Sequence, residues 1–284
     1  MTLAVAVALA SGCARPAAPE APRRYPLTGQ VMAVDTTTRQ LTVKHDDIAG
    51  LMPSMTMTFR VADPAALEGR APGDLISATL EVTSTDSQLL DVVATGTAPL
   101  PTNTNEVALA AGVLDVGDAV PDAALVDQAD QRRSLSEWTG TTTLVSFTYT
   151  TCPLPNFCPL IDRNFGELQR LIADDARLAG RVRLISITID PTTDTPEVLA
   201  AHAARIGANP DVWTLLTGDL RTVDRVAGRF GVGIVRPDEP GEIKHNLRTT
   251  LVGPDGRVRA IYSGNDWTPD GLIDDLRASV ASAR

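Results

Sequence analysis

From Thr142 the chain runs Thr-Thr-Leu-Val-Ser-Phe-Thr-Tyr-Thr. Apolar Leu144, Val145, Phe147 and Tyr149, set among β-branched threonines, predict a buried strand. The pattern stops at Cys152-Pro153, where two prolines and an Asn force a loop as far as Cys158. Pro159 suits the first turn of a helix, where a missing N–H costs nothing. Ile161, Phe165, Leu168 and Ile172 then recur at helical spacing. Further apolar runs predict strands at 124–127, 183–190 and 213–216, a short helix or turn at 135–140, and a hairpin over 249–262. Helical spacing predicts helices at 196–206, 220–230 and 272–280. Strands alternating with helices, followed by a hairpin and a helix, predict an α/β layered sheet. Earlier in the chain the period is two instead: 30–35, 40–45, 55–61, 75–82 and 89–94 read as five short strands within about 70 residues, which is the pattern of a small all-β, OB-like barrel.

The 284 residues are 43% hydrophobic, with 4% aromatic, so two aliphatic cores fit the length. A net charge of −10 argues against nucleic acid as a partner. The apolar run 3–10 is too short to cross a bilayer and reads as an export signal. It ends in Ala-Ser-Gly-Cys13, which resembles a bacterial lipoprotein box whose cysteine is acylated. The predicted layout is a signal and lipobox (1–13), a Pro/Ala/Arg/Glu tether (14–24), the barrel (25–97), a linker (98–112) and the α/β domain (113–284). With Cys13 anchored, Cys152 and Cys158 remain as a pair on the oxidising side of a membrane.

Those two thiols flank a strand-to-helix loop. Cys158 lies near a helix N-terminus, whose dipole favours the thiolate that binds metal or attacks a disulfide. Three readings stand for the pair: a metal-binding dithiol, a redox couple, or a structural disulfide worth about 2–3 kcal/mol across so small a loop. Asp190 ends the next strand, as a turn residue or as a group acting on the site from behind its ligands. Asp194-Thr-Pro-Glu reads as a helix start with no chemistry assigned. Of the three histidines, His202 lies within a predicted helix and reads as a surface residue, while His245 precedes a strand. His45 lies just upstream of Met52, Met55 and Met57. Met55 and Met57 share one face of their strand. Thioether and imidazole together favour Cu(I), and the alternative is methionine filling a barrel core.

The Thr-Tyr-Thr-Thr-Cys152 approach, the loop to Cys158-Pro, Ile189-Asp-Pro and Lys244-His245 together resemble the Sco/SenC family of thioredoxin-like copper proteins. That resemblance implies a thioredoxin-like fold from about Val113. It also implies copper, as Cu(I) or Cu(II), held by Cys152, Cys158 and His245, with Asp190 behind them. His45-Asp-Asp-Ile followed by Met52-Pro-Ser-Met-Thr-Met-Thr-Phe is similar to the CusF-like periplasmic copper-binding domain. The similarity implies Cu(I) on His45, Met55 and Met57, with Met52 a fourth ligand or a lid. Together they imply an exported, lipid-anchored copper metallochaperone in the periplasm or cell envelope. Its partner would be the copper-binding subunit of cytochrome c oxidase or another envelope cuproprotein. The same residues leave open a thiol–disulfide oxidoreductase acting on the oxidase cysteines, and copper sequestration for tolerance. Two unlike copper sites on one chain further suggest that the methionine site passes Cu(I) to the dithiol.

Overall fold

The computed structural model describes residues 22–282 except 53, 84–86, 101–108, 110–111 and 238–240. Cys13 and the predicted signal lie outside the described residues.

The first domain is a closed barrel of five strands in the order β1-β2-β3-β5-β4. They are β1 (Arg23–Asp35), β2 (Gln40–His45), β3 (Met55–Val61), β4 (Asp74–Val82) and β5 (Ser87–Thr97). Leu27, Val31, Leu41, Val43, Phe59, Ile76, Leu80 and Leu89 fill its core. β1 begins two residues inside the stretch read as tether, because Arg23 and Arg24 pair with Val82 and Glu81 of β4. Arg24 also bridges Glu81 at 2.8 Å. β2 and β3 pair antiparallel, with His45 directly opposite Met55 and Val43 opposite Met57.

The second domain is a seven-stranded sheet in the order β14-β13-β8-β9-β10-β6-β7. Its parallel centre is β8 (Thr142–Thr148), β9 (Val182–Thr188) and β10 (Trp213–Thr217). β6 (Ala124–Asp127) and β7 (Arg132–Ser134) extend one side, and β13 (Arg248–Val252) and β14 (Val258–Ser263) the other. Alternation along the strands feeds two cores, one on each face. Leu144, Leu184 and Leu215 pack with α1 (Cys158–Asp174), α2 (Pro196–Ile206) and α4 (Pro269–Ala281). Val145, Phe147, Ile185 and Ile187 pack with α3 (Leu220–Arg229). Phe165 of α1 meets Trp213 edge-on at 5.5 Å, a contact worth about 0.5–1.5 kcal/mol beyond area burial. Thr195 caps α2 at its start, and Gly207 at φ 71° ends it, a left-handed position that suits glycine. β11 (Ile234–Val235) and β12 (Lys244–His245) form a separate two-stranded ribbon in which Ile234 pairs with His245.

The domains touch where this ribbon meets β3. A β-carbon at Gly233 would run into the carbonyl oxygen of Thr56, so glycine is what allows the two backbones to approach. Gln40 of the barrel also donates to Asp115 Oδ2 at 2.7 Å. Among the described residues, no helix is long and apolar enough to cross a membrane.

Candidate metal centres

β8 ends at the cysteine loop, and α1 begins at Cys158 with proline in its first turn. The loop is tied down from outside: Arg163 donates to the Pro155 carbonyl at 3.1 Å and Asn265 to the Asn156 carbonyl at 2.8 Å. Cys152 and Cys158 are free thiols, the first half-buried and the second 2% exposed. The ribbon brings His245, 5% exposed, so that Nε2 lies 3.8 Å from Cys158 Sγ. Its Nδ1 meets the Asn246 carbonyl at 3.1 Å. A carbonyl only accepts, so Nδ1 carries the proton and Nε2 keeps its lone pair toward the sulfur. Burial lowers the His245 pKa to about 4, so the ring is neutral at physiological pH. The Tyr149 ring packs edge-on to His245 at 5.9 Å, and its hydroxyl donates to the Ile243 carbonyl.

The thiols are unequal. Cys152 is lowered to about 6, chiefly by a hydrogen bond from Cys158, with the N–H groups of Leu154 and Cys158 adding to it. Cys158 is pushed up, first by that same bond and then by burial. The helix dipole favours the thiolate at Cys158, whereas the hydrogen bond that Cys158 donates favours it at Cys152. Burial of the helix-end sulfur outweighs the dipole, and the loop's N–H groups serve the more exposed one instead.

In the barrel, His45 is 1% exposed, with Nδ1 2.7 Å from the Asp46 carbonyl. Its Nε2 is buried and no hydrogen bond reaches it among the described residues. An orphaned, unprotonated ring nitrogen in an apolar barrel costs free energy unless something soft occupies it. Burial lowers this pKa as well, keeping the ring a neutral donor. Met55 stands opposite His45, 4% exposed, while Met52 and Met57 pack partly buried at the core's edge. The arrangement fits a Cu(I) site made of one imidazole and thioethers. Met52, Met55 and Met57 line one side of a cleft of about 1610 Å³, and Cys152, Tyr149 and His245 line the other.

A match to the SCO1/SenC family profile covers residues 117–281. The chain belongs to the SCO1/SenC family. Residues 24–93 match the profile described as copper binding periplasmic protein CusF. The chain is therefore a copper-binding SCO1/SenC protein that carries a CusF-type copper-binding domain. Among its relatives is a SCO1 protein homolog of Bacillus subtilis, 31% identical over 54% of this chain and 78% of that one. Another is a putative copper-binding protein of Stutzerimonas stutzeri, 31% identical over 50% and 67%. A solved structure of BsSco, described as having a disulfide switch and as a member of the Sco family of cytochrome c oxidase assembly proteins, is 27% identical. It superposes with a TM-score of 0.51 over 59% of this chain and 97% of that one. A SCO1/SenC family lipoprotein of Bacillus anthracis, 24% identical, shares the fold at a TM-score of 0.51 over 57% and 94%. The α/β domain is accordingly thioredoxin-like.

Asp190, read either as a turn residue or as a group behind the ligands, accepts from Thr192 in its own turn at 2.8 Å. A neighbouring carboxylate, Asp194, is fully buried. It accepts from the Thr150 N–H at 3.1 Å, from the Thr150 hydroxyl, and from the Thr188 hydroxyl at 2.5 Å. It thereby stitches the start of the cysteine loop to β9. Its place beside a helix start concealed this in the sequence. His202, expected at the surface, is buried: its Nε2 donates to Asp162 at 3.0 Å while Arg205 donates to Nδ1.

Proposed function

We propose that the protein is an exported copper metallochaperone. It holds one copper ion on Cys152, Cys158 and His245, and a second, Cu(I), on His45, Met55 and Met57 with Met52 beside them. Two thiolates and an imidazole make a soft trigonal set that suits either Cu(I) or Cu(II). Ligand exchange then delivers the ion to the copper-binding subunit of cytochrome c oxidase or another envelope cuproprotein. The carrying observation is the 3.8 Å approach of a lone-pair-bearing Nε2 to Cys158 Sγ, beside a sulfur poised as thiolate. Cys13, acylated, would tether the chain to the membrane. The deciding measurement is Cu(I) stoichiometry of the reduced full-length protein: about two ions are expected, and about one after Cys152→Ser/Cys158→Ser. A wild-type value of one or less would reject the two-site reading.

A second reading is thiol–disulfide exchange with a partner's cysteines, favoured by the low pKa and cleft-facing position of Cys152. The His245→Ala variant separates the two. A chaperone loses copper affinity at the thiol site, whereas a reductase keeps most of its rate of exchange.

A further inference from the structure

Each candidate site has one ligand set back from the cleft and others lining it. In the barrel His45 is buried, and Met52, Met55 and Met57 line the cleft. In the other domain Cys158 is buried, and Cys152 and His245 line the same cleft. The domains meet at Gly233, where the backbone abuts Thr56, the residue between Met55 and Met57. The ledge carrying Gly233 is bound to the thiol site by the Ile234–His245 ribbon pairing and by Asn246. Asn246 accepts from the Gly233 N–H at 2.7 Å and donates to the Gly231 carbonyl at 3.0 Å. Its own carbonyl orients His245. The barrel strand that carries two candidate thioether ligands therefore rests on the segment that positions the acceptor imidazole.

Building on the reading of both sites as copper-binding, we infer that the docked barrel is an internal copper donor: Cu(I) crosses the shared cleft from the methionines to Cys152 without entering solvent, and the Gly233–Thr56 contact holds the two sites in register. Neutral thioethers are the weaker donors and a thiolate the stronger, which sets the direction. Copper–thioether bonds break as the copper–Cys152 bond forms. The metal remains Cu(I) and no electron moves. Each thiol gives up its proton to solvent as its sulfur binds the metal. Cys152 is the first acceptor because it is the more exposed sulfur and the one that lines the cleft, while Cys158 is 2% exposed.

The test uses reduced full-length protein mixed in stopped flow with one equivalent of Cu(I) from a weak chelate, followed by the ultraviolet band of copper–thiolate bonds. Capture is followed by a relocation phase expected to be first order and unchanged on tenfold dilution. A trans pair supplies the reference: Cys152→Ser/Cys158→Ser protein carrying Cu(I), mixed with a His45→Ala/Met55→Ala acceptor. With an effective concentration on the order of 1 mM in the intact chain, relocation should outrun the trans pair about 100-fold at ~10 µM protein. Gly233→Leu should fall toward the trans rate while still binding two Cu(I). Gln40→Ala, which removes the contact to Asp115 at the barrel rim, should slow relocation severalfold and serves where Gly233→Leu does not fold. A relocation rate proportional to protein concentration, the absence of a relocation phase, or one that both variants leave unchanged overturns the proposal. A two-copper stoichiometry alongside any of those results leaves the assignment of the sites standing.

Discussion

His45 ends a barrel strand and His245 ends a two-residue ribbon in another domain. In both rings Nδ1 meets the carbonyl of the very next residue, at 2.7 and 3.1 Å. Both rings are buried and neutral with Nε2 free to donate. Around these similar rings the partners differ. The barrel supplies thioethers, which carry no proton and form no disulfide. The α/β domain supplies thiols, which gain donor strength by losing protons. One site is thus suited to hold Cu(I) whatever the redox state, with only the His45 imidazole to titrate, and the other to bind more tightly under conditions that pH and redox state both control.

The comparison breaks most severely at the sulfurs. Cys152→Ser/Cys158→Ser should abolish the α/β site and leave the barrel at about one Cu(I), measured by competition with a chromophoric chelator. The imidazoles come next. Loss of an outer-shell partner alone costs 10–100-fold, so His45→Ala should weaken the barrel site by more than about 100-fold. His245→Ala should weaken Cu(II) binding more than Cu(I), because the two sulfurs still satisfy the softer ion. Acidity should then part the sites. Cys152 has a lowered pKa of about 6, so its thiolate persists above that value and is lost below it. Copper affinity at the thiol site should fall about tenfold per pH unit above 6, where Cys158 alone must lose its proton, and about a hundredfold per unit once pH drops below 6. The barrel, whose His45 pKa is itself lowered, should hold Cu(I) across the same range. Equal pH slopes for the two sites would erase the distinction. The smallest effect is expected at Asp194→Ala. Stranding the Thr150 and Thr188 hydroxyls should cost about 1–3 kcal/mol of stability by chemical denaturation. Copper affinity at the cysteine loop should drop with it, and the barrel should be untouched.

Elements with a period were legible in the chain. Helix 196–206 appears with the bounds its spacing and Pro196 indicate, and all five barrel strands fall on the stretches alternation marks, the first starting well before its stretch, at Arg23. The ribbon that delivers His245 was not legible, because two-residue strands carry no periodicity. The Asp162 partner of His202 sits on another helix, and the inequality of the thiols comes from the hydrogen bond between them and then from burial, so local sequence held neither. Asp194 has the signature of a helix start, but Thr195 is the cap. The grouping of Cys152, Cys158 and His245 came forward through resemblance; only the fold shows the approach of the imidazole to the sulfur. The cleft between the domains depends on Gly233, which reads in the chain as one glycine among 21.

The unequal burial of the two sulfurs also sets an order of events for any encounter. Were the pair to exchange with a partner's disulfide, the more exposed Cys152 would attack first and the mixed disulfide would sit at the cleft mouth. Cys158, enclosed behind it, would then lose its proton, attack the Cys152 sulfur and expel the partner's other sulfur as a thiolate, so a docked protein would be released by a group it never touches.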